Sequence, residues 1–325
     1  MVFPAADNPT GPVYVDGAVA RLLEGAEAAT SRAFCAAARR VYPDREIRDI
    51  ECAGGVGLFF GPSDPLNAVK GVGLRGAVSA AEWDAVEAAF AGSGSPVVVD
   101  LCPLADEGFV AMLAGAGGRG LRRSAMERGL CRRVGVAGGP GSAWGGGGGG
   151  EWGGGGGGGG YAIGSFETVL CRRVDVDGEH GPMGSGVVIE RVGADRAGAW
   201  GRVVDAGFAD GGEPVKMAVG ISRVRSVLEG SIMLLACVNG EPAGGAGMSI
   251  HGTVAHMAGA AVLPEFRGRG VQRALTAARL RIALERGCLL AKMDVRAGTV
   301  SHQNAVRCGF QVAYTRPQLV RTWPP

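Results

Sequence analysis

Residues 262–272 read Val-Leu-Pro-Glu-Phe-Arg-Gly-Arg-Gly-Val-Gln and hold the residue types in this chain best suited to gripping an anion. An apolar strand end runs through a basic, glycine-punctuated turn into an amphipathic stretch from Arg273 to Arg286. Gly268 and Gly270 let backbone N–H groups converge without Cβ obstruction, Arg267 and Arg269 add charge, and the following helix points its positive dipole end at the same spot. The spacing predicts an anion cradle suited to a pyrophosphate. There is no Gly-x4-Gly-Lys-Ser/Thr, and Gly-x-Gly-x-x-Gly fails at Arg273, so nucleotide hydrolysis is disfavoured.

The segment resembles the acetyl-coenzyme A loop of the GNAT superfamily of N-acetyltransferases, which follows an Arg/Gln-x-x-Gly-x-Gly/Ala pattern after a strand. Arg267, Gly268, Arg269, Gly270 and Val271 match it, and Gln272 departs from the Gly or Ala of the last position. Two further segments match in order: Leu289 to Val295 as the next strand, then Ser301 to Phe310, similar to the family's Asn-helix-Gly-Phe ending around Asn304. The resemblance implies acetyl-CoA as cosubstrate, held by Val262, Leu263, Arg267, Gly268, Arg269, Gly270, Val271, Gln272 and Asn304. It also implies direct attack by a primary amine of a small-molecule or peptide acceptor.

Such attack needs a base for the ammonium proton, donors for the oxyanion and often an acid for the departing thiolate. The resemblance puts the backbone N–H of Leu263 or Val262 beside the thioester. For the base, Asp294, on the strand facing the cofactor cleft, and His256, on the loop-bearing strand, are both candidates. Ala305 stands where many family members carry the acid Tyr, and Tyr314 is a candidate substitute. Glu265 in the loop is expected to face solvent. An alternative reading, fed by Ala305, is a non-catalytic acetyl-CoA sensor or scaffold. The small run Ala258-Gly259-Ala260-Ala261 either lets a pantetheine arm lie against its strand or lets a helix pack closely on a sheet.

Composition bounds the rest. At 325 residues the length favours two domains, and a net charge of +2 gives no general basic field for nucleic acid or acidic membranes. Aromatic residues are too sparse among the Arg- and Gly-rich segments for single-strand binding, so neither a nucleic-acid nor a membrane partner is expected. The oligomeric state stays unassigned. Eight scattered cysteines form no Cys-x-x-Cys pair and lie near no His at ligand spacing, so no metal site is expected and reduced, buried thiols in a cytoplasmic protein are. No leader-like N-terminal segment and no apolar run long enough for a membrane span is evident.

Gly145–Gly150 and Gly153–Gly160 surround Glu151-Trp152, and polyglycine has nothing to bury. Residues 136–164 are therefore expected to be a Gly-rich disordered linker or insertion. It is flanked by Leu130-Cys131-Arg132-Arg133-Val134, repeated as Leu170-Cys171-Arg172-Arg173-Val174, of which Phe166 to Val174 alternates as a strand does. Residues 12–135 are expected to be a degenerate GNAT-like domain, with 165–174 as its possible last strand, and 177–322 the acetyl-CoA-binding GNAT domain.

In the first half the pattern gives a helix from Asp16 to Arg40, with Val19, Leu22, Leu23, Ala26, Ala29 and Phe34 as its stripe. Strands at Ile47–Cys52, Val56–Phe60 and Ala68–Leu74 follow, then a helix at Ala80–Phe90 capped by Ser79, a strand at Val97–Leu101 and a helix at Asp106–Ala114. Its loop Gly73-Leu74-Arg75-Gly76-Ala77-Val78 lacks the arginine pair and the Gly-x-Gly spacing. In the second half strands are expected at Val187–Val192, Ser231–Val238, Glu241–Ile250 and Thr253–Leu263, with helices at Asp195–Phe208 and Pro214–Leu228. The fold class expected is α/β (α+β): two GNAT-like domains, each a twisted, mostly antiparallel mixed sheet flanked by helices.

Overall fold

The computed structural model describes residues 11–115, 160–174, 186–209 and 219–323. The first copy of the Leu-Cys-Arg-Arg-Val repeat and most of the expected linker lie outside these residues.

The chain opens with α1 (Gly17–Val41), started by Asp16, whose carboxylate accepts from the N–H groups of Ala18 and Val19. Strands β1 (Arg48–Cys52), β2 (Gly55–Phe59) and β3 (Ala68–Lys70) follow. Next comes α2 (Ala80–Ala91), where Ser79 and Glu82 form a reciprocal capping box. Then come β4 (Val97–Asp100) and α3 (Glu107–Gly115).

After the undescribed stretch, β5 spans Ala162–Arg173. It begins inside the region expected to be linker, and the preceding Tyr161 is buried against Trp83 with its hydroxyl 2.7 Å from Glu87 Oε1. The linker expectation therefore ends too late: an aromatic anchor and alternating residues order the chain from 161 onward. The second half contains β6 (Val187–Val192), α4 (Ala197–Ala209), α5 (Ile221–Val227), β7 (Ile232–Val238), β8 (Glu241–His251) and β9 (Val254–Val262). It ends with α6 (Val271–Glu285), β10 (Leu290–Val295), α7 (Val300–Arg307) and β11 (Gln311–Arg321).

All eleven strands among the described residues belong to one sheet, in the order β1-β2-β3-β4-β11-β5-β10-β9-β8-β7-β6. The expectation of two separate sheets is corrected here. β5, from the first half, pairs antiparallel with β10 of the second; β11, the last strand, pairs antiparallel with β4 of the first; and β5 and β11 pair with each other. Each half thus lends its final strand to the other. β4 and β10 are each covered along that edge by the strand from the other half. Only β3–β4 and β9–β10 run parallel. No described helix is long and apolar enough to cross a membrane.

Because β11 is the inner neighbour of both β4 and β5, removing it opens both halves. A chain ending at Phe310 is expected to lose all cooperative thermal unfolding by circular dichroism. A persisting sharp transition would mean that one half folds without the exchanged strand.

Candidate active site

β9 and β10 pair only from Leu290↔Val254 to Lys292↔His256 and then part, β9 continuing on β8 to Val262 and β10 on β5 to Val295. The strands leave a wedge with Met257–Val262 on one wall and Met293–Val295 on the other. In the β8–β9 ladder, register passes from Gly247↔Ala258 to Gly245↔Ala261, so β9 holds one extra residue, and Gly259 takes φ +65°. Ala258, Gly259 and Ala260 are half-buried on that bulge. The carbonyl of Ala246, opposite it, accepts from Trp200 Nε1 at 3.2 Å. The small-residue run therefore lies on the wedge wall.

The wall's end fixes which backbone donor is available. Leu263 N–H donates to Ala243 O at 2.9 Å, while Val262 is the cross-strand partner of Gly244. That makes Val262–Gly244 a non-hydrogen-bonded pair, whose N–H and C=O groups point away from β8 and toward the gap left by β10. Of the two expected oxyanion donors, Leu263 is thus committed within the ladder, and Val262 faces the wedge.

Beyond Leu263 a short 3-10 turn, Pro264–Phe266, leads to the basic loop. Gly268 and Gly270 have φ of +75° and +80°, and Gly270 is the N-cap of α6 with no side-chain cap, so the first amides of the helix are unclaimed by side chains. Arg267 folds back, its guanidinium 3.3 Å from both Val262 O and Gly207 O, and the Arg269 guanidinium lies over the Phe266 ring at 5.4 Å. Val271 is buried in the core, and the Gln272 carbonyl accepts from Thr276 Oγ1 at 2.9 Å. On α7, the side-chain oxygen of Asn304 lies 3.3 Å from Arg307 Nη1. Glu265 is exposed, as expected.

The candidate proton-transfer residues converge at the narrow end of the wedge. His256 Nε2 lies 3.2 Å from Asp294 Oδ2, and Nδ1 lies 3.0 Å from Thr30 Oγ1. Thr30 spends its hydroxyl proton on Ala26 O at 2.9 Å, so it accepts from Nδ1–H. In neutral His256 this leaves the Nε2 lone pair toward Asp294. Burial keeps His256 below its ordinary pKa, against the raising effect of Asp294. Burial and the nearby charge of Glu27 oppose ionisation of Asp294, but Lys292 (2.7 Å), the hydrogen bond that His256 donates when protonated and Arg316 win, so the carboxyl is held well below its usual range.

Tyr314 is not at the wedge. It lies on β11, separated from β10 by β5, and its buried hydroxyl donates to Glu24 at 2.7 Å. Burial and Glu24 push its pKa far up, which suits a structural donor and not an acid for a leaving thiolate. The substitute-acid expectation is corrected accordingly.

Both Glu24 and Asp294 belong to a larger assembly that sequence reasoning missed. Arg316 on β11 is fully buried, with Nη1 2.9 Å from Glu24 and Glu27, Nη2 2.6 Å from Glu167, and Asp100 and Asp294 each at 3.6 Å. Lys70 bridges Glu27 (2.7 Å) and Asp100, and Lys292 bridges Glu27 and Asp294. Glu27, Asp100 and Glu167 lie close enough to share an ion. Arg316 and Lys70 already supply that charge. Glu24 and Glu27 interrupt an otherwise apolar helix face at i, i+3 spacing, a signal that could have revealed the cluster.

The profile of the acetyltransferase (GNAT) family matches residues 219–310. No curated protein matches the sequence. Among solved structures, a GCN5-related N-acetyltransferase from Kribbella flavida is similar at TM-score 0.54 and 18% identity, over 90% of this chain and 96% of that one. One from Sphaerobacter thermophilus aligns at 0.46 and 15%, over 75% and 65%. A tandem GNAT protein from the clavulanic acid biosynthesis pathway aligns at 0.49 and 14%, over 83% and 80%. The first of these likenesses shows that the fold of both halves is shared.

Within the ion cluster, burial raises the Glu167 carboxyl to about 7, above Arg316's opposing pull. A carboxyl raised in the folded state favours folding when protonated, so its contribution is present below the ordinary glutamate range and lost as pH rises through 7. Thermal midpoints are expected to fall between about pH 5 and pH 8 in the parent chain, and Glu167→Gln to flatten that slope. An unchanged slope in the variant would assign the fall elsewhere.

Proposed function

We propose that this chain, whose residues 219–310 are a GNAT-family acetyltransferase domain, transfers the acetyl group of acetyl-CoA to a primary amine by direct attack. The observation that carries the reading is the wedge between β9 and β10: an outward-facing Val262 N–H lies on one wall, a glycine-framed helix N-terminus at its mouth and a histidine at its floor.

The pieces divide the chemistry. The amides around Gly268, Gly270 and the start of α6 form a cradle for a pyrophosphate, with Arg269 adding charge. The half-buried Ala258, Gly259 and Ala260 leave room for a slender arm along the bulged strand. Val262 N–H donates to the oxyanion that develops as the amine nitrogen bonds to the acetyl carbon. The carbon–sulfur bond then breaks, and the thiolate takes its proton from solvent, since Ala305 and the buried Tyr314 offer none.

His256 is the base that this arrangement favours over Asp294. Neutral His256 has its Nε2 lone pair available, and protonation there creates a donor to Asp294 where none existed. Asp294, held ionised beside Lys292, is a poor proton acceptor and acts by stabilising the imidazolium. In the first half the corresponding parallel pair, β3–β4, has no such wall, because β3 stops at Lys70. We assign one transfer site per chain, in the second half, with the first serving as its structural partner.

The test is acetyl-CoA binding by calorimetry together with turnover on a panel of amines. Gly268→Val, which forces a β-branched residue to φ +75°, and Arg267→Glu, which puts negative charge at the loop, are each expected to weaken acetyl-CoA binding at least ~10-fold. His256→Gln is expected to lower turnover roughly 10²-fold with acetyl-CoA affinity unchanged. Tight acetyl-CoA binding with no acetylation across the panel would favour a sensor. Unaltered binding in both loop variants would remove the cofactor assignment.

A further inference from the structure

Arg225, on α5, is only 3% exposed, yet its Nε and Nη1 have no hydrogen-bond partner among the described residues. Among the described residues no carboxylate compensates it. Its Nη1 lies 2.8 Å from where a Cβ on Gly247 would sit, so the missing side chain at Gly247 is what lets the guanidinium rest on the sheet. The group lines a cavity of about 390 Å³, shared with Arg191, Gly193, Ser226 and Ser231, and no acidic residue contributes to that lining. Ser231 Oγ is a second buried polar atom without a partner. The Ser226 hydroxyl is spent on Arg223 O at 2.7 Å.

A guanidinium taken from water without a counter-ion is strongly disfavoured unless something else supplies the charge. The other two deeply buried arginines among the described residues are satisfied, Arg316 by carboxylates and Arg279 by the carbonyls of Leu275 and Gly247 and the hydroxyl of Thr276. Arg225 has the same burial and none of these partners. Its cavity is of ligand size and its charged lining is cationic, which fits the flat, two-oxygen face of a carboxylate or the oxygens of a phosphate.

We propose that this cavity is an anion subsite, with Arg225 as its principal donor and Ser231 as a second, and that it binds the anionic end of the acceptor amine. The second clause rests on the acetyltransferase reading; the first does not. Position supports the link. Gly247, beneath Arg225, is the cross-strand partner of Ala258 on the wedge wall, and adjacent strands lie about 4.8 Å apart. An acceptor with its amine at His256 and its anion at Arg225 spans on the order of 5–10 Å on that spacing. Burial alone lowers Arg225 to about 10, so it stays cationic at neutral pH.

The test uses matched acceptors that differ in the anion: 6-aminohexanoate against 6-aminohexanamide, and phosphoethanolamine against ethanolamine. With the intact chain and acetyl-CoA, kcat/KM is expected to be at least ~10-fold higher for the charged member of one pair, and that pair identifies carboxylate or phosphate. Arg225→Gln is expected to abolish the preference while acetyl-CoA affinity holds. Its thermal midpoint is expected to hold or rise, because an uncompensated buried charge has gone. A parallel calorimetric arm titrates the free protein with N-acetyl-6-aminohexanoate, its amide and inorganic phosphate. Binding of an anion by the parent chain but not by Arg225→Gln, with no turnover on any amine, supports the subsite and overturns the transferase reading. Equal rates and equal binding within both pairs, or a preference that survives Arg225→Gln, overturns the subsite. So does a sharp fall in the variant's midpoint, which would reveal a structural partner for Arg225.

Discussion

A guanidinium sealed from water must be neutralised by its neighbours, and Arg316 draws five carboxylates from four elements: Glu24 and Glu27 on α1, Asp100 on β4, Glu167 on β5 and Asp294 on β10. Removing one partner of such a cluster leaves an uncompensated buried charge, typically costing about 3–5 kcal/mol. The cluster also fixes register, because carboxylates on β4, β5 and β10 can all reach one side chain on β11 only when the four strands lie in the observed order. Five carboxylates face Arg316, Lys70 and Lys292, an excess of acid relieved by the raised pKa values of Glu24 and Glu167. Hydrophobic packing would tolerate other strand pairings more readily than this set of charges does.

The wedge inherits its shape from that centre. Lys292 holds Asp294 on β10, Asp294 faces His256 on β9, and Thr30, two turns along α1 from Glu24, takes the other ring nitrogen. One helix of the first half therefore positions His256 in the second. The exchange of β5 and β11 makes the dependence mutual. It also keeps β10, freed from β9 after Lys292, in the sheet, because its other edge is paired along its whole length with β5.

Much of this was readable in the sequence. The apolar stripe of α1, capping of α2 by Ser79 and the glycines before α6 are local signals, and each of these elements begins and ends near where those signals put it. The turn at Gly268 and Gly270 before α6 was legible because both glycines sit at positive φ within a short, local spacing. Strand exchange was not, since alternation tells which face of β5 or β11 is buried and says nothing of the neighbour along the ladder. The ion cluster joins residues up to 292 positions apart, so no window contains it. Tyr314 shows the same limit: its residue type suggested an acid, whereas its surroundings make it a donor to Glu24. The N–H groups of Leu263 and Val262 are adjacent in sequence and opposite in direction, a distinction set only by the ladder's parity.

The account makes the two halves one cooperative body with a single cofactor site. Scanning calorimetry of the full chain with and without acetyl-CoA tests this most directly. One unfolding transition is predicted, shifted upward as a whole by the ligand, with a dose dependence that fits one site per chain. Two resolved transitions, of which acetyl-CoA moves only one, would contradict it.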